Sequence, residues 1–426
     1  MSDNTAAPGS NGREREGGDS TINFGAASTE TTLRSPLARS DDPSLVHVAA
    51  AVYDPSQSLI GRWSRLTDDQ VTAIGIDPTR LKNDRSGFEA GIYKDDQRHA
   101  LAFAGTDMTS FKDWTTNLAQ GAGLQTEQYA EAVALAKDAA KAFHKTAVIL
   151  TGHSLGGGLA TAAAAATGLQ AVVFNPAGVN NHTLKREGLD PEKVKVAADA
   201  GQIRNYIVAG EILNQVQTWL PIPKPIGQRT QLPEPAPLRP TLAWIPGART
   251  IHGIGDHGME SVAAGMRQFE ERHKAFFTEP ALRASAGRLY EGELLSVPSG
   301  RTGDVTQQVG DQVVTHDRAK LATNARTLKA GNQVSIQYNE QGTMGAVSSQ
   351  QDRKVVEALA AAVIDAKVKD PAQRAELKAA IEARLAERAK AGTIPSIPVY
   401  DKQAPVKGQQ PDRDRPQGKN NTERTR

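Results

Sequence analysis

The chain contains no cysteine. Disulfides, cysteine-ligated metals and thiol nucleophiles are thereby excluded together, and the compartment is left open. Long apolar runs are missing as well. No uninterrupted stretch approaches the ~20 residues that a membrane-spanning helix requires. The most apolar segment, residues 159–169, is mostly alanine with two threonines and a glycine, which fits a buried helix. The opening MSDNTAAPGSNGRERE has no apolar core of the kind a classical secretory signal carries. The expectation is a protein made in the cytoplasm and, where exported, exported without such a signal. Charge of one sign is scarce too: the net charge is +2 over 426 residues. That supplies no overall pull toward nucleic acid or anionic lipid.

What is present suggests one large catalytic unit and a smaller module. Residues 1–42 are rich in Ser, Thr, Gly, Asn and mixed charge, and are expected to be a disordered arm because they cannot offset the entropy of ordering. From Pro43 the spacing of LVHVAAAVY predicts a helix. GFEAGIYKDDQRHALAFAGT reads as a hairpin turning at residues 94–97. A helix is predicted over 126–143, with Tyr129, Val133, Ala136 and Ala140 along one face. AVIL, AVVFNPAG and IRNYIVAG read as buried strands separated by helical segments. Alternation of that kind implies an α/β fold with a largely parallel, doubly covered sheet. Prolines at 221, 223, 225, 233, 235, 237, 240 and 246 predict an extended surface insertion, neither helix nor central strand. A further helix is expected from Met259 to Phe277.

Beyond about residue 282, YEGELLSV, QQVGDQVVTH and NQVSIQYNEQGTMGAV alternate as strands of a small β module over 285–348. Residues 350–392 are helical in pattern, with Val355, Leu359 and Val363 on one face and Leu377, Ile381 and Leu385 on another. Asp370 and Pro371 restart the helix as cap and first residue. Residues 393–426 are polar and expected to be disordered. From Asp401 onward they carry seven basic and four acidic residues.

Gly152-His153-Ser154-Leu155-Gly156 has the G-x-S-x-G form of a nucleophile elbow, and the strand AVIL before it and small-residue helix after it are the context that motif needs. The turn lifts a serine hydroxyl out of the sheet while the following helix points its N-terminus at the reacting carbonyl. Such a serine needs an oxyanion hole, because stabilising the tetrahedral intermediate is usually the largest catalytic contribution. One donor is expected to be the N–H of Leu155. The second is expected in Ala104-Gly105-Thr106-Asp107, directly after the strand HALAF, with Thr106 as the donor.

FAGTD, DWTTNL, a helix with Tyr129, and ILTGHSLGGGLA in that order resemble the class 3 lipases, more narrowly their bacterial relatives of the Mbeg1-like type. The resemblance covers about residues 43–275. It implies an α/β-hydrolase fold (residues 43–280), lipid or other acyl-ester substrates met at a transient membrane surface, no cofactor, and an oxyanion role for Thr106. Ala104 departs from the family, which usually has an arginine there as a structural ion-pair partner.

Acid and base should follow in the order Ser, Asp/Glu, His. Of the later histidines, His316 lies in the C-terminal module and His273 in the charged helix RQFEERHKAFF, where a solvated face is expected. His257 and His252 share a glycine-rich loop. His257 abuts the next helix, as in the family, and is the favoured base, with His252 the alternative. His153 is expected to pack beside the nucleophile. For the acid, Glu211 ends a strand, where it can reach an imidazole; the family commonly has aspartate. Asp256 adjoins His257, and Glu187, Asp190, Glu192 and Asp199 occupy a surface-like stretch.

The C-terminal YEG, VVTHD, LKAG and VSIQYNEQGTMGAV resemble the KfrB-type module of bacterial plasmid and conjugation proteins, implying a mobile-element or secretion setting. The leading expectation is a serine lipase or phospholipase, with a delivered effector toxin and an immunity or secretion-system partner as its further reading. Another acyl-transfer enzyme of the fold, such as a thioesterase or acyltransferase, is the second. A conjugation-associated adaptor with a vestigial hydrolase is the third. Near-neutral charge argues against direct nucleic-acid binding.

Overall fold

The structure, a computed structural model, describes residues 39–96, 98–105, 123–143, 147–211, 223–237, 257–322 and 328–390. The expected arm and tail fall largely outside these residues. The main elements in chain order are α1 (Asp42–Ala51), β1 (Phe88–Lys94), β2 (His99–Phe103), α2 (Gly123–Ala142), β3 (Val148–His153), α3 (Leu155–Thr167), β4 (Gln170–Phe174), β5 (Ile203–Val208), β6 (Gln228–Leu232), α4 (Met259–Arg272), β7 (Leu289–Pro298), β8 (Asp304–Val309), β9 (Gln312–Asp317), β10 (Gln333–Tyr338), β11 (Gly345–Ser349), α5 (Gln350–Lys367) and α6 (Pro371–Lys390).

Strands β1 to β9 lie side by side in chain order, β2 through β6 parallel. The expected hairpin is β1–β2, antiparallel with Ala90 opposite Phe103. Parallel neighbours need crossovers, and these lay helices on both faces. On one face Phe88, Ile92, Leu101, Phe103 and Leu150 pack under α2 and α3. On the other, Tyr93, Ile149, Val172 and Tyr206 pack against α1 and α4. This is an α/β fold of the hydrolase kind. Helix α3 can be buried along most of its length because glycine and alanine let its backbone lie close to the sheet. It ends at Gly168, whose left-handed φ of 74° closes the last turn.

Three expectations need correction. The proline-rich stretch holds a central strand. The prolines at 225 and 233 bracket seven proline-free residues, of which 228–232 are free to donate to both neighbours. There β6 pairs in parallel with β5 and antiparallel with β7, Thr230 facing Ser296. The ladder therefore runs unbroken across the expected 280–285 boundary, and Leu295 and Val313 join the same apolar cluster as α1 and α4. The helix predicted to reach Phe277 breaks at His273, a residue only 5% exposed and so not on a solvated face. Burial lowers its pKa.

The third correction concerns the end of the arm. Asp42 is fully buried, its two oxygens taken by Arg204 Nε and Nη2 at 2.7 Å each, with the Tyr206 hydroxyl donating to one of them at 2.7 Å. A buried charge requires such a partner, so Asp42 belongs to the packed domain and not to an arm. Among the described residues no helix is long and apolar enough to cross a membrane.

Candidate active site

The turn between β3 and α3 carries Ser154 at φ 55°, one of two non-glycine residues at positive φ among the described residues. Such backbone is strained for an L-residue and needs surroundings that enforce it. Here the enforcement is visible: Ser154 N donates to Phe174 O at 3.1 Å, and Ser154 O accepts from Gly158 N and Ala177 N. Glycine flanks the turn because nothing else fits. A Cβ on Gly156 would lie 2.1 Å from Phe103 O, and one on Gly152 2.4 Å from Gly156 O.

The structure brings Glu211 and His257 to this serine. His257 Nε2 stands 2.9 Å from Ser154 Oγ, and His257 Nδ1 stands 2.8 Å from Glu211 Oε2. The carboxylate accepts from Nδ1–H, which leaves the Nε2 lone pair to accept the serine proton. All three are buried, at 4%, 0% and 2% exposure. Glu211 follows the C-terminal end of β5, one strand beyond β4 from the elbow. His257 immediately precedes α4, which packs across β5 and β6.

Two residues hold the backbone of His257. His153 Nε2 donates to its carbonyl at 2.7 Å, and Asn175 Nδ2 donates to the same oxygen at 3.1 Å. Asn175, the other residue at positive φ, accepts the Val208 N–H on its Oδ1 at 2.9 Å and so ties β5 to the loop that bears His257. Burial and the neighbouring His257 push the pKa of His153 down to about 3. It stays neutral, with its proton on Nε2 and its Nδ1 turned to the Tyr53 hydroxyl at 3.5 Å. Tyr53 accepts the Gly105 N–H at 2.8 Å, linking the end of α1 to the loop after β2. Sequence reasoning passed over Asn175 and Tyr53. The one available signal was an asparagine placed directly before a proline at a strand end.

Leu155 is buried at the first position of α3, its N–H at the positive end of that helix. A cavity of about 650 Å³ opens beside it, bounded by Tyr53, Ser86, Glu89, Gly105 and Gln128. Thr106, His252 and Asp256 lie outside the described residues.

The remaining candidates sit elsewhere. His316 is buried within the β module between Tyr290 and Tyr338. Asp190 caps a short helix, and Glu187 and Glu192 lie beside it. Asp199 is 1% exposed rather than superficial. It accepts from Ser299 N and Oγ, fastening the crossover before β5 to the turn after β7.

Comparison with known proteins follows these contours. Residues 45–237 match a Tle-like phospholipase domain, and residues 289–348 match the KfrB domain. The extracellular phospholipase A1 of Serratia liquefaciens is 39% identical over 245 residues, which are 57% of this chain and 76% of that protein. Among solved structures, the propeptide complex of Rhizomucor miehei lipase is 15% identical over 45% of this chain and 66% of its own, with a TM-score of 0.32. The lipase of Rhizopus microsporus var. chinensis is 13% identical over 50% of this chain and 84% of its own, also at 0.32. The fold assignment rests on strand order and not on these two likenesses.

Proposed function

The chain belongs to the phospholipase family of its Serratia relative and is a carboxylic ester hydrolase, and we propose that it cleaves acyl esters of phospholipids through Ser154, His257 and Glu211. The observation that carries this reading is the pair of contacts at 2.9 and 2.8 Å linking serine, imidazole and carboxylate in one buried line. Ser154 Oγ attacks the acyl carbon as its proton passes to His257 Nε2. Glu211 keeps the ring in the tautomer that can accept it and stabilises the imidazolium. The Leu155 N–H, with Thr106 as second donor, receives the oxyanion; losing one such donor lowers the rate by about 10²–10³. The imidazolium protonates the departing alcohol, and water then attacks the acyl-serine with His257 again as base.

The name of the Serratia protein supports phospholipids, cleaved as a phospholipase A1 cleaves them, as the substrate, and supports action outside the producing cell. Delivery as an effector, with an immunity or secretion-system partner, extends the same reading. The test is hydrolysis of a phospholipid and p-nitrophenyl ester panel by the purified chain and its Ser154→Ala variant. Turnover that vanishes in the variant is expected. Equal turnover by both proteins would remove Ser154 from the mechanism.

A further inference from the structure

Among the described residues, the cavity beside Leu155 is lined in good part by polar groups. Burying a chain is favourable only against apolar walls, and this cavity is bounded by Ser86, Glu89 and Gln128, with the phenol of Tyr53 and the backbone of Gly105. Strand geometry explains how Glu89 comes to be there. Phe88, Ala90 and Ile92 point into the core beneath α2 and α3, so alternation sends Glu89 to the opposite face of β1, shared with Tyr93. Glu89 O accepts from Ala104 N at 2.9 Å, which sets that residue level with the loop that runs past the elbow.

The other polar groups of the cavity are already engaged. Ser86 Oγ donates to Glu131 at 2.7 Å, Gln128 Nε2 donates to Ser86 O at 2.7 Å, and the Tyr53 hydroxyl holds the Gly105 N–H. Glu89 differs: its carboxylate, partly buried, makes no hydrogen bond or ion pair with any described residue. Among the described residues no lysine or arginine lines the cavity. Arg65, on the same face of the sheet, is committed to Tyr93 and to the Ala90 carbonyl. Tyr53, 38% exposed as a residue, lines the same cavity with its aromatic side chain.

A carboxylate without a partner among the described residues, lining the same cavity as a tyrosine ring, favours a cation, the carboxylate through charge and the ring through its electron-rich face. We propose that this cavity is a head-group site for the cationic end of a zwitterionic phospholipid, an ammonium borne by ethanolamine or choline. The proposal rests on the reading of Ser154 as the nucleophile, since it is the adjacent elbow that makes the cavity part of a substrate site. Glu89 then acts on specificity from both sides: it attracts the ammonium and repels a head group whose only charge is the phosphate.

Binding tests this separately from turnover. Short-chain phosphatidylethanolamine, phosphatidylcholine and phosphatidylglycerol of identical acyl composition are titrated by calorimetry into the full chain carrying Ser154→Ala, alone and combined with Glu89→Gln or Glu89→Lys. Tighter binding of the two zwitterionic lipids is expected in the parent. Their advantage should fall by about tenfold or more with Glu89→Gln, which keeps an acceptor but removes the charge that attracts either ammonium, and reverse with Glu89→Lys. Preference for ethanolamine marks a hydrogen-bonded ammonium, and preference for choline marks the aromatic ring. Equal or tighter binding of phosphatidylglycerol by the parent, or a zwitterionic advantage unchanged by both substitutions, overturns the proposal. Neither outcome depends on the ester panel, which by itself decides whether Ser154 is the nucleophile.

Discussion

His153 Nε2 donates to the backbone carbonyl of His257 at 2.7 Å, so the residue preceding the proposed nucleophile fixes the loop that carries the proposed base. The two rings lie 4.8 Å apart. Because burial keeps His153 neutral, its one N–H is always available to that carbonyl, and the serine and imidazole are positioned by one rigid strand end. Asn175 supplies the second donor to the same oxygen.

Asn175→Ala removes that second donor and leaves the Val208 N–H buried without its acceptor. We expect a kcat on p-nitrophenyl esters about tenfold lower with KM little changed, and a loss of about 1–3 kcal/mol in stability. Urea unfolding beside steady-state kinetics checks both. An unchanged kcat would mean that His153 alone holds the loop.

Glu211→Gln keeps the side-chain shape but replaces the carboxylate that accepts from His257 Nδ1. An amide in this place can stabilise the wrong tautomer, and kcat/KM should fall by about 10⁴-fold. Glu211→Asp should retain more activity, because charge survives and only reach is lost. The ratio of the two variants under identical assay conditions is the discriminating number.

Asp42→Asn breaks a fully buried, doubly hydrogen-bonded pair and leaves the buried Arg204 guanidinium without its carboxylate, with Gln170 Oε1 still accepting from it. Removing one partner of such a pair costs about 3–5 kcal/mol. The midpoint of urea unfolding should drop accordingly, while the rate per folded molecule at 25 °C stays near the parent's, since neither residue touches the serine, imidazole or carboxylate. A midpoint equal to the parent's would show that the pair adds nothing to stability.

Stability should fall as the solution is acidified below pH 6.5. His153 and His316 have ordinary values near 6.5 when unfolded and are held at about 3 in the fold, both chiefly by burial. The unfolded chain therefore binds more protons between these limits. The contribution is fully present above pH 6.5 and is lost progressively as pH falls toward 3, by about 1.4 kcal/mol per pH unit for each histidine. His316 donates from Nε2 to Gln307 Oε1 at 3.1 Å and accepts from the Tyr338 hydroxyl at 3.3 Å, contacts that glutamine can partly replace. Urea titrations at pH 7, 6 and 5 should show a shallower pH dependence in His316→Gln by one proton's worth. An identical slope would count against the assignment.

How far the chain could be read before it was folded depended on how local each signal was. The hairpin, the elbow and the small-residue helix are written in runs of consecutive residues, and they stand where the pattern put them. Glu211 and His257 could be shortlisted because acids and bases of this chemistry follow the serine at strand ends and before helices. Strand β6 was hidden because proline density over the whole stretch concealed the five proline-free residues 228–232. Asp199 was hidden because Glu192 and Lys193 before it are exposed, while the contact that fastens it, Ser299 in the turn after β7, lies 100 residues further on.

The sequence by itself determined the chemistry on offer: a serine on a strained turn, no thiol, acids and histidines in usable order, strands and helices in alternation. It did so because backbone strain, side-chain alternation and turn formation act over a few residues. Only the tertiary structure decided which groups meet. His257 reaches Ser154 across 103 residues, Asn175 reaches His257 across 82, and Arg204 meets Asp42 across 162. Each of these contacts is made by packing distant elements on one sheet, and its cost in chain entropy is offset by the whole core, not by the few residues that form the contact.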